Sequence, residues 1–188
     1  SLYEIIFVDD ESTDNGVDLI KNFEGLPSRN LIINNVRKSN APKKDAIETA
    51  ISHSTCEWIV TTDADCYVDP EWLHVLDAFI QQKNPKMVCG GVSMVANPTF
   101  IEQFQQFEFL SLQGATLGSF GLKKPIMCNG ANLAYQKACF YEVNGFENNN
   151  HLASGDDVFM LEKMDIALLS EHLEKTDGVL GFSVEMVN

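Results

Sequence analysis

A short apolar strand that ends in two aspartates limits the folds open to this chain more than any other feature. Residues 57–61 have the composition of a buried β-strand, and Thr62-Asp63-Ala64-Asp65 follows directly. In an extended segment, residues i and i+2 project to the same side, so the carboxylates of Asp63 and Asp65 can converge on one point. Two carboxylates that close together repel each other unless a cation lies between them or one takes up a proton.

Oxygen ligands of this kind suit hard divalent cations such as Mg2+ or Mn2+, which often bridge to the phosphates of a substrate. The segment from Asp63 to Asp65 is therefore a candidate metal–diphosphate site. The same residues also fit a solvated turn whose aspartates cap the following helix. An Asp-x-Asp triplet alone does not decide between the two interpretations.

Strand and helix patterns alternate along the whole sequence. Strands are predicted at residues 2–8, 31–36, 57–61 and 87–95, with a strand and loop at 126–135. Helical spacing of apolar residues occurs at 17–23, 43–52, 69–82, 99–117, 137–143 and 156–164, with Asp69 as the expected N-cap of the third helix. Such alternation is typical of βαβ crossovers, so we expect an α/β fold with a mainly parallel sheet flanked by helices.

Acidic residues follow two of these strands at the same end. The first strand stops at Asp9 and Asp10, and the third stops just before Asp63 and Asp65. In parallel α/β sheets, ligands bind beyond the carboxyl ends of the strands. The sequence therefore predicts that the four carboxylates lie along one rim of the sheet.

Composition narrows the class of protein. The 188 residues fit a single domain, and a formal net charge of −14 argues against nucleic acid as a partner. Five cysteines without a Cys-x-x-Cys pair indicate free thiols in a reducing compartment, which favours the cytoplasm. No apolar run reaches the roughly 18 residues that a membrane span needs.

Four motifs in a fixed order give the chain a recognisable pattern. They are Asp9-Asp10-Glu11-Ser12-Thr13-Asp14, Lys43-Lys44-Asp45-Ala46-Ile47, Thr62-Asp63-Ala64-Asp65 and Ser154-Gly155-Asp156-Asp157-Val158-Phe159. The segment from Cys128 to Tyr135 also fits between the last two. In this order the motifs resemble those of the family 2 glycosyltransferases, over roughly residues 3–164.

The resemblance implies a GT-A-like, Rossmann-like fold and an inverting, metal-dependent transfer of a sugar. The donor would be a nucleoside-diphosphate sugar, with a UDP-sugar favoured. The acceptor would be a carbohydrate or lipid-linked hydroxyl, in polysaccharide or glycolipid synthesis. Mn2+ or Mg2+ is the implied cofactor.

The resemblance also assigns roles around the donor. Asp65 would hold the cation, with Asp63 oriented toward the ribose or the water shell of the metal. Asp10 would accept a hydrogen bond from the base, such as uracil N3–H, while Asp9 supports the turn. The alternative for residues 9–14 is a hydrophilic turn in which Asp14 or Ser12 is the N-cap of the following helix.

Three further pairs of residues complete the implied site. Lys43 and Lys44 at a helix N-terminus would bind phosphate, although a solvated pair of cations is an equal alternative. Asn129 and Gly130 would line the sugar pocket, or form an ordinary Asn-Gly turn. Asp157, rather than Asp156, would be the catalytic base; the alternative is two aspartates that only stabilise the helix dipole.

The chain also departs from the family pattern. It has neither the initial strand ending in Pro-x-Tyr-Asn-Glu nor, in residues 165–188, the Gln-x-x-Arg-Trp motif. We therefore expect residues 1–188 to be one catalytic domain from a longer protein, which could be membrane-associated at the cytoplasmic face. An inactive nucleotide-sugar-binding domain and a sugar-phosphate nucleotidyltransferase are the alternative functions.

Overall fold

The computed structural model describes residues 3–170 and 179–187 of the chain. Two compact units are distinguished. The first comprises Ser1–Glu57 and Asn144–Asp156, and the second comprises Trp58–Val143 and Asp157–Asn188. That both belong to one domain stays a prediction.

The first unit is built on a pair of parallel strands. Strand β1, Ile5–Asp9, is followed by helix α1, Gly16–Lys21, and strand β2, Asn30–Asn34. The strands are in register from Ile5 opposite Asn30 to Asp9 opposite Asn34. Helix α2, Pro42–His53, packs against β1. Proline suits the first turn of this helix because its fixed φ is already helical and its missing N–H is not needed there.

Glu4, just before β1, ties the start of that strand to the segment after α2. Its side chain is only 9% exposed. It accepts hydrogen bonds from Ser54 Oγ at 2.8 Å and from the amides of Thr55 and Cys56 at 2.7 and 3.2 Å. Burial alone would raise the pKa of Glu4, but hydrogen bonds led by that from Ser54 outweigh it and lower the pKa to about 2.

The second unit contains a five-stranded sheet with the order β3-β6-β5-β7-β4. The strands are β3 Trp58–Thr61, β4 Cys66–Tyr67, β5 Met87–Val95, β6 Leu133–Gln136 and β7 Val179–Val187. Strand β6 is antiparallel to both β3 and β5, and β4 is antiparallel to β7. Among the described strands of this sheet, only β5 and β7 pair in parallel.

The α/β fold class is confirmed, but the expectation of a mainly parallel sheet is wrong for this second sheet. Strand–helix alternation indicates parallel strands only when each connection returns the chain to the end where the previous strand began. After α4, residues 122–132 instead lead into β6 from the end of the sheet at which β5 finishes, so β6 runs antiparallel to β5.

Four helices complete the second part of the chain: α3 Trp72–Lys83, α4 Phe100–Gly121, α5 Lys137–Glu142 and α6 Asp156–Ser170. Helix α4 begins where Thr99 Oγ1 accepts a hydrogen bond from the amide of Glu102.

The predicted N-cap of α3 is wrong. Asp69 Oδ1 accepts from the amide of Glu71, so Asp69 stabilises a turn and the helix starts only at Trp72.

A buried amide fixes the centre of this unit. Asn132 is 3% exposed; its Oδ1 accepts from Trp72 Nε1 at 3.0 Å, and its Nδ2 donates to the carbonyl of Gly91 at 2.8 Å. A Cβ atom at Gly90 would lie 2.1 Å from Asn132 Nδ2. Glycine at position 90 therefore leaves the space that this amide occupies. The apolar core beside it contains Leu76, Val88 and Ala134.

Helix α4 presents apolar side chains to solvent. Phe100 is 84% exposed and Phe107 69% exposed, and Phe104, Leu110 and Leu112 are also exposed. Within residues 3–170 and 179–187, no helix combines the length and apolar composition that crossing a membrane requires.

The Glu4 contacts predict a stability that depends on pH. A carboxylate with a folded pKa of about 2 and an ordinary value of 4.5 stabilises the fold above pH 4.5 and loses this contribution as the pH falls toward 2. We expect Glu4→Gln to lower the free energy of unfolding by about 2 kcal/mol at pH 7. Urea unfolding at pH 7, 4 and 3 measures the free energy of unfolding of the variant and the parent. The difference between them should become smaller as the pH falls.

The exposed Glu24 supplies the matched control, since Glu24→Gln removes the same charge without these contacts. If Glu4→Gln lowers the free energy of unfolding by the same amount at pH 7 and at pH 3, the lowered pKa of Glu4 is wrong.

Candidate functional site

The turn after β1 contains the first two predicted site residues. Asp9, the last residue of β1, accepts a hydrogen bond from the amide of Ser12 at 3.1 Å. Glu11, inside this turn, has a φ of 63°, which non-glycine residues rarely adopt. Asp9 therefore stabilises this turn through its side chain.

Asp10 is held by two polar residues that follow β2. Arg37 Nε and Nη2 donate to its two carboxylate oxygens at 2.8 Å each, and Asn35 Nδ2 donates to Oδ1 at 2.7 Å. The hydrogen bonds from Arg37, chiefly, and from Asn35 lower the pKa of Asp10, and Asp10 in turn raises the pKa of Arg37. Asp10 is thus a charged acceptor, and Oδ2 keeps a lone pair for one more donor.

Asn35 and Arg37 were missed in the sequence analysis. Asn35 also donates to the carbonyl of Pro42 at 3.1 Å, which connects Asp10 to the start of α2. A usable signal was present, because both residues lie just past the carboxyl end of β2, where parallel sheets place polar contacts.

The two neighbouring lysines of α2 have different surroundings. Lys43 is half exposed, and its ammonium lies 3.6 Å from a carboxylate oxygen of Asp156. Lys44 is 1% exposed; its ammonium donates to the carbonyls of Asn149 and Leu152, at 2.9 Å each. Lys44 also lies 5.9 Å from the centre of the Phe146 ring. Lys44 therefore holds the loop before α6, and its predicted phosphate contact stays a prediction.

In the first unit, hydrogen bonds and an ion pair connect helix α2 to two of the predicted site residues, Asp10 and Asp156. Asp10 reaches α2 through Asn35, and Lys43 on α2 reaches Asp156. Asp45, next to the lysines, is 3% exposed and accepts hydrogen bonds from the amides of residues 38 and 39, so its carboxylate pairs locally.

In the second unit, the residue after Asp156 has a separate partner. Asp157 Oδ2 accepts a hydrogen bond from the amide of Gly130 at 3.0 Å. The carbonyl of Gly130 accepts from Thr61 Oγ1 at 2.6 Å. Thr61 ends β3, two residues before Asp63. The structure therefore brings together the predicted base, the Asn-Gly loop and the strand that leads to the predicted metal residues.

Asn129 stabilises the loop in which Gly130 lies. Its side-chain oxygen accepts from the amide of Ala131 at 2.9 Å, which begins a short 3-10 helix at Gly130–Asn132. Asn129 thus forms the local turn that was the alternative interpretation. Its predicted contact with a sugar stays a prediction.

The predicted metal residues follow β3 in a tight turn. Asp63 is half-buried and Asp65 is exposed, and the carbonyl of Asp63 accepts from the amide of Cys66 at 3.2 Å. No group of three or more histidine, cysteine or acidic residues that could hold a metal occurs in the described part of the chain. Mg2+ is often bound by one or two carboxylates together with substrate phosphates and water, and Asp63 and Asp65 fit that donor set.

The lysine pair gives a direct test of these different surroundings. Lys44→Met keeps the length of the side chain but leaves the carbonyls of Asn149 and Leu152 without their donor, so we expect it to lower the free energy of unfolding by about 2 kcal/mol. The matched variant Lys43→Met removes only a half-exposed ion pair and should cost less than about 1 kcal/mol. Urea denaturation of both variants measures this difference, and equal losses would be inconsistent with it.

Comparison with known proteins places this geometry in a family. The family model described as "Glycosyl transferase family 2" matches residues 1–142. A search of curated proteins finds no significant match.

Solved structures show the same fold at low sequence identity. TarS 1-349 from S. aureus is 16% identical, with a TM-score of 0.69 over 98% of this chain and 51% of its own. Its complex with UDP-GlcNAc is 18% identical, with a TM-score of 0.67 over 98% and 49%. GalNAc-T7 with UDP, GalNAc and Mn2+ is 14% identical, with a TM-score of 0.63 over 100% and 38%.

The chain spans about half the length of the TarS structure that it matches. The family model covers most of the sequence, and the solved structures agree with it in fold. The chain therefore belongs to glycosyl transferase family 2 and has a GT-A fold.

Proposed function

We propose that this domain transfers a sugar from a nucleoside-diphosphate sugar to an acceptor hydroxyl, with inversion at the anomeric carbon and with a divalent cation. One observation carries the proposal beyond family membership. In the second unit, Asp157 is hydrogen-bonded to Gly130, which is hydrogen-bonded to Thr61 at the end of the strand that leads to Asp63 and Asp65. A base and a metal-binding segment held by one set of contacts are what a displacement reaction needs.

A uridine diphosphate is the favoured leaving group. The similar structures of TarS and GalNAc-T7 were solved with UDP-GlcNAc or with UDP. Asp10 is a charged acceptor with a free lone pair on Oδ2, which suits the single N–H donor of uracil. Lys43, half exposed at the start of α2, can contact a phosphate.

Asp65 and Asp63 are the residues that would hold Mn2+ or Mg2+, as one of the similar structures contains Mn2+. When bound, such a cation neutralises charge on the departing diphosphate. Asp63 and Asp65 follow the end of β3 by two and four residues and would supply carboxylate oxygens as ligands.

Asp157 is the proposed base. Its carboxylate takes the proton of the acceptor hydroxyl as that oxygen bonds to the anomeric carbon. The bond from the anomeric carbon to the diphosphate oxygen breaks, and its electron pair leaves with the diphosphate. Asp156 is 3.6 Å from the Lys43 ammonium, so its charge is already paired, which favours Asp157 for this role.

The acceptor we propose is a carbohydrate or lipid-linked hydroxyl, used in polysaccharide or glycolipid synthesis on the cytoplasmic side. Incubation with UDP-sugars and candidate acceptors, followed by UDP release, tests transfer directly. Binding without any release would favour a nucleotide-sugar-binding domain instead. Formation of a nucleoside-diphosphate sugar from a sugar phosphate would favour a nucleotidyltransferase.

We expect Asp65→Ala to abolish the Mn2+-dependent part of UDP binding while the fold stays intact. The reason is that the exposed Asp65 carboxylate is the proposed ligand of the cation. Isothermal titration of UDP with and without Mn2+ measures the effect. Asp77→Ala removes another exposed carboxylate, on α3, and should leave UDP binding unchanged. Unchanged Mn2+ dependence in Asp65→Ala would refute the metal assignment.

We expect Asp157→Asn to bind the donor with the affinity of the parent and to lose transfer by about 100-fold or more, because an amide cannot accept the proton. Asp156→Asn is the paired control and should retain most of the turnover. Full turnover in Asp157→Asn, with loss in Asp156→Asn, would move the base to Asp156.

A further inference from the structure

We propose that Thr61 is a positioning residue for the carboxylate of Asp157, acting through the backbone of Gly130. The inference rests on the proposed function, because it concerns the group assigned as the base. Thr61 itself has no hydrogen bond to Asp157; its hydroxyl donates to the carbonyl of Gly130 at 2.6 Å and also lies 3.3 Å from the carbonyl of Leu133.

The peptide unit between Gly130 and Ala131 is held at both of its polar ends. Its carbonyl accepts from Thr61, and its N–H donates to the side chain of Asn129 at 2.9 Å. Gly130 and Ala131 are both buried, and Ala131 is 0% exposed. Inside the protein, a hydrogen bond that is lost is not readily replaced by water, so the orientation of this peptide depends on both partners.

The preceding peptide is joined to this one at the Gly130 Cα, so we expect a rotation of either to change the direction of the Gly130 N–H. The N–H of Gly130 donates to Asp157 Oδ2 at 3.0 Å, while Oδ1 accepts from the amide of Val158 at 2.7 Å. Both oxygens of the carboxylate are therefore held, and each retains a lone pair that can receive a proton. A base has to be within hydrogen-bonding reach of the hydroxyl that it deprotonates, so a small rotation of this carboxylate lowers the rate.

Thr61 also lies between the loop that contacts the proposed base and the segment that carries the proposed metal residues. It is the last residue of β3, whose backbone pairs with β6 from Trp58 opposite Gln136 to Thr61 opposite Leu133. Asp63 follows two residues later along the chain. The same side chain thus ties the Gly130 backbone to the segment that carries the proposed metal residues.

The decisive comparison is Thr61→Val against Thr61→Ser. Valine keeps the branched shape but removes the hydroxyl, whereas serine keeps the hydroxyl. With a UDP-sugar and an acceptor that the parent chain uses, we expect Thr61→Val to lower kcat about tenfold with KM for the donor unchanged, and Thr61→Ser to restore most of kcat. A smaller folded fraction would also lower the apparent kcat and leave KM unchanged, so kcat is calculated per UDP-binding site, counted by calorimetric titration of each variant.

A second measurement does not depend on turnover. Amide hydrogen exchange of Gly130 should become at least tenfold faster in Thr61→Val and stay near the parent rate in Thr61→Ser. Exchange at the parent rate in Thr61→Val would overturn the proposal even if no sugar is transferred. Transfer by the parent together with an unchanged kcat in Thr61→Val would also overturn it, while leaving the proposed function intact.

Discussion

Hydrogen bonds from fixed donors to carboxylates hold the loops of this acidic chain in place. Glu4 accepts hydrogen bonds from the segment after α2, and Asp10 accepts them from Arg37. Asp157 accepts one from the buried backbone amide of Gly130. Hydrogen bonds to ionised groups are stronger than neutral ones, so they can order irregular segments that bury few apolar side chains. Two of the carboxylates proposed for the site, those of Asp10 and Asp157, are therefore held in position.

The sequence was most informative where a structural signal is local. Strand β1 ends at Asp9 and β3 ends at Thr61, close to the predicted limits, because apolar runs followed by turn residues indicate strand ends well. Asp69 shows the limit of such signals, since an aspartate before Pro-Glu fits both a helix cap and a turn. The direction of β6 was not predictable either, because it depends on the path of the segment after α4.

The lysine pair shows why site residues are harder to predict than elements. Lys43 and Lys44 are chemically identical and adjacent, yet successive helix positions point about 100° apart. One side chain consequently lies near Asp156 in partial contact with solvent, and the other is enclosed by the loop that contains Asn149. The resemblance implied the same phosphate contact for both lysines, and the packing of α2 gives them different surroundings.

The close fit of Asn132 against Gly90 has a consequence for any survey of tolerated substitutions. Every other residue type at position 90 would carry a Cβ into the space of that amide and disturb its bond to Trp72. In a saturation library this position would accept glycine alone and would look as intolerant as a reacting group. The loss of substituted variants at position 90 would be caused by the steric clash with Asn132. It should therefore not be taken as evidence that Gly90 has a role in the reaction.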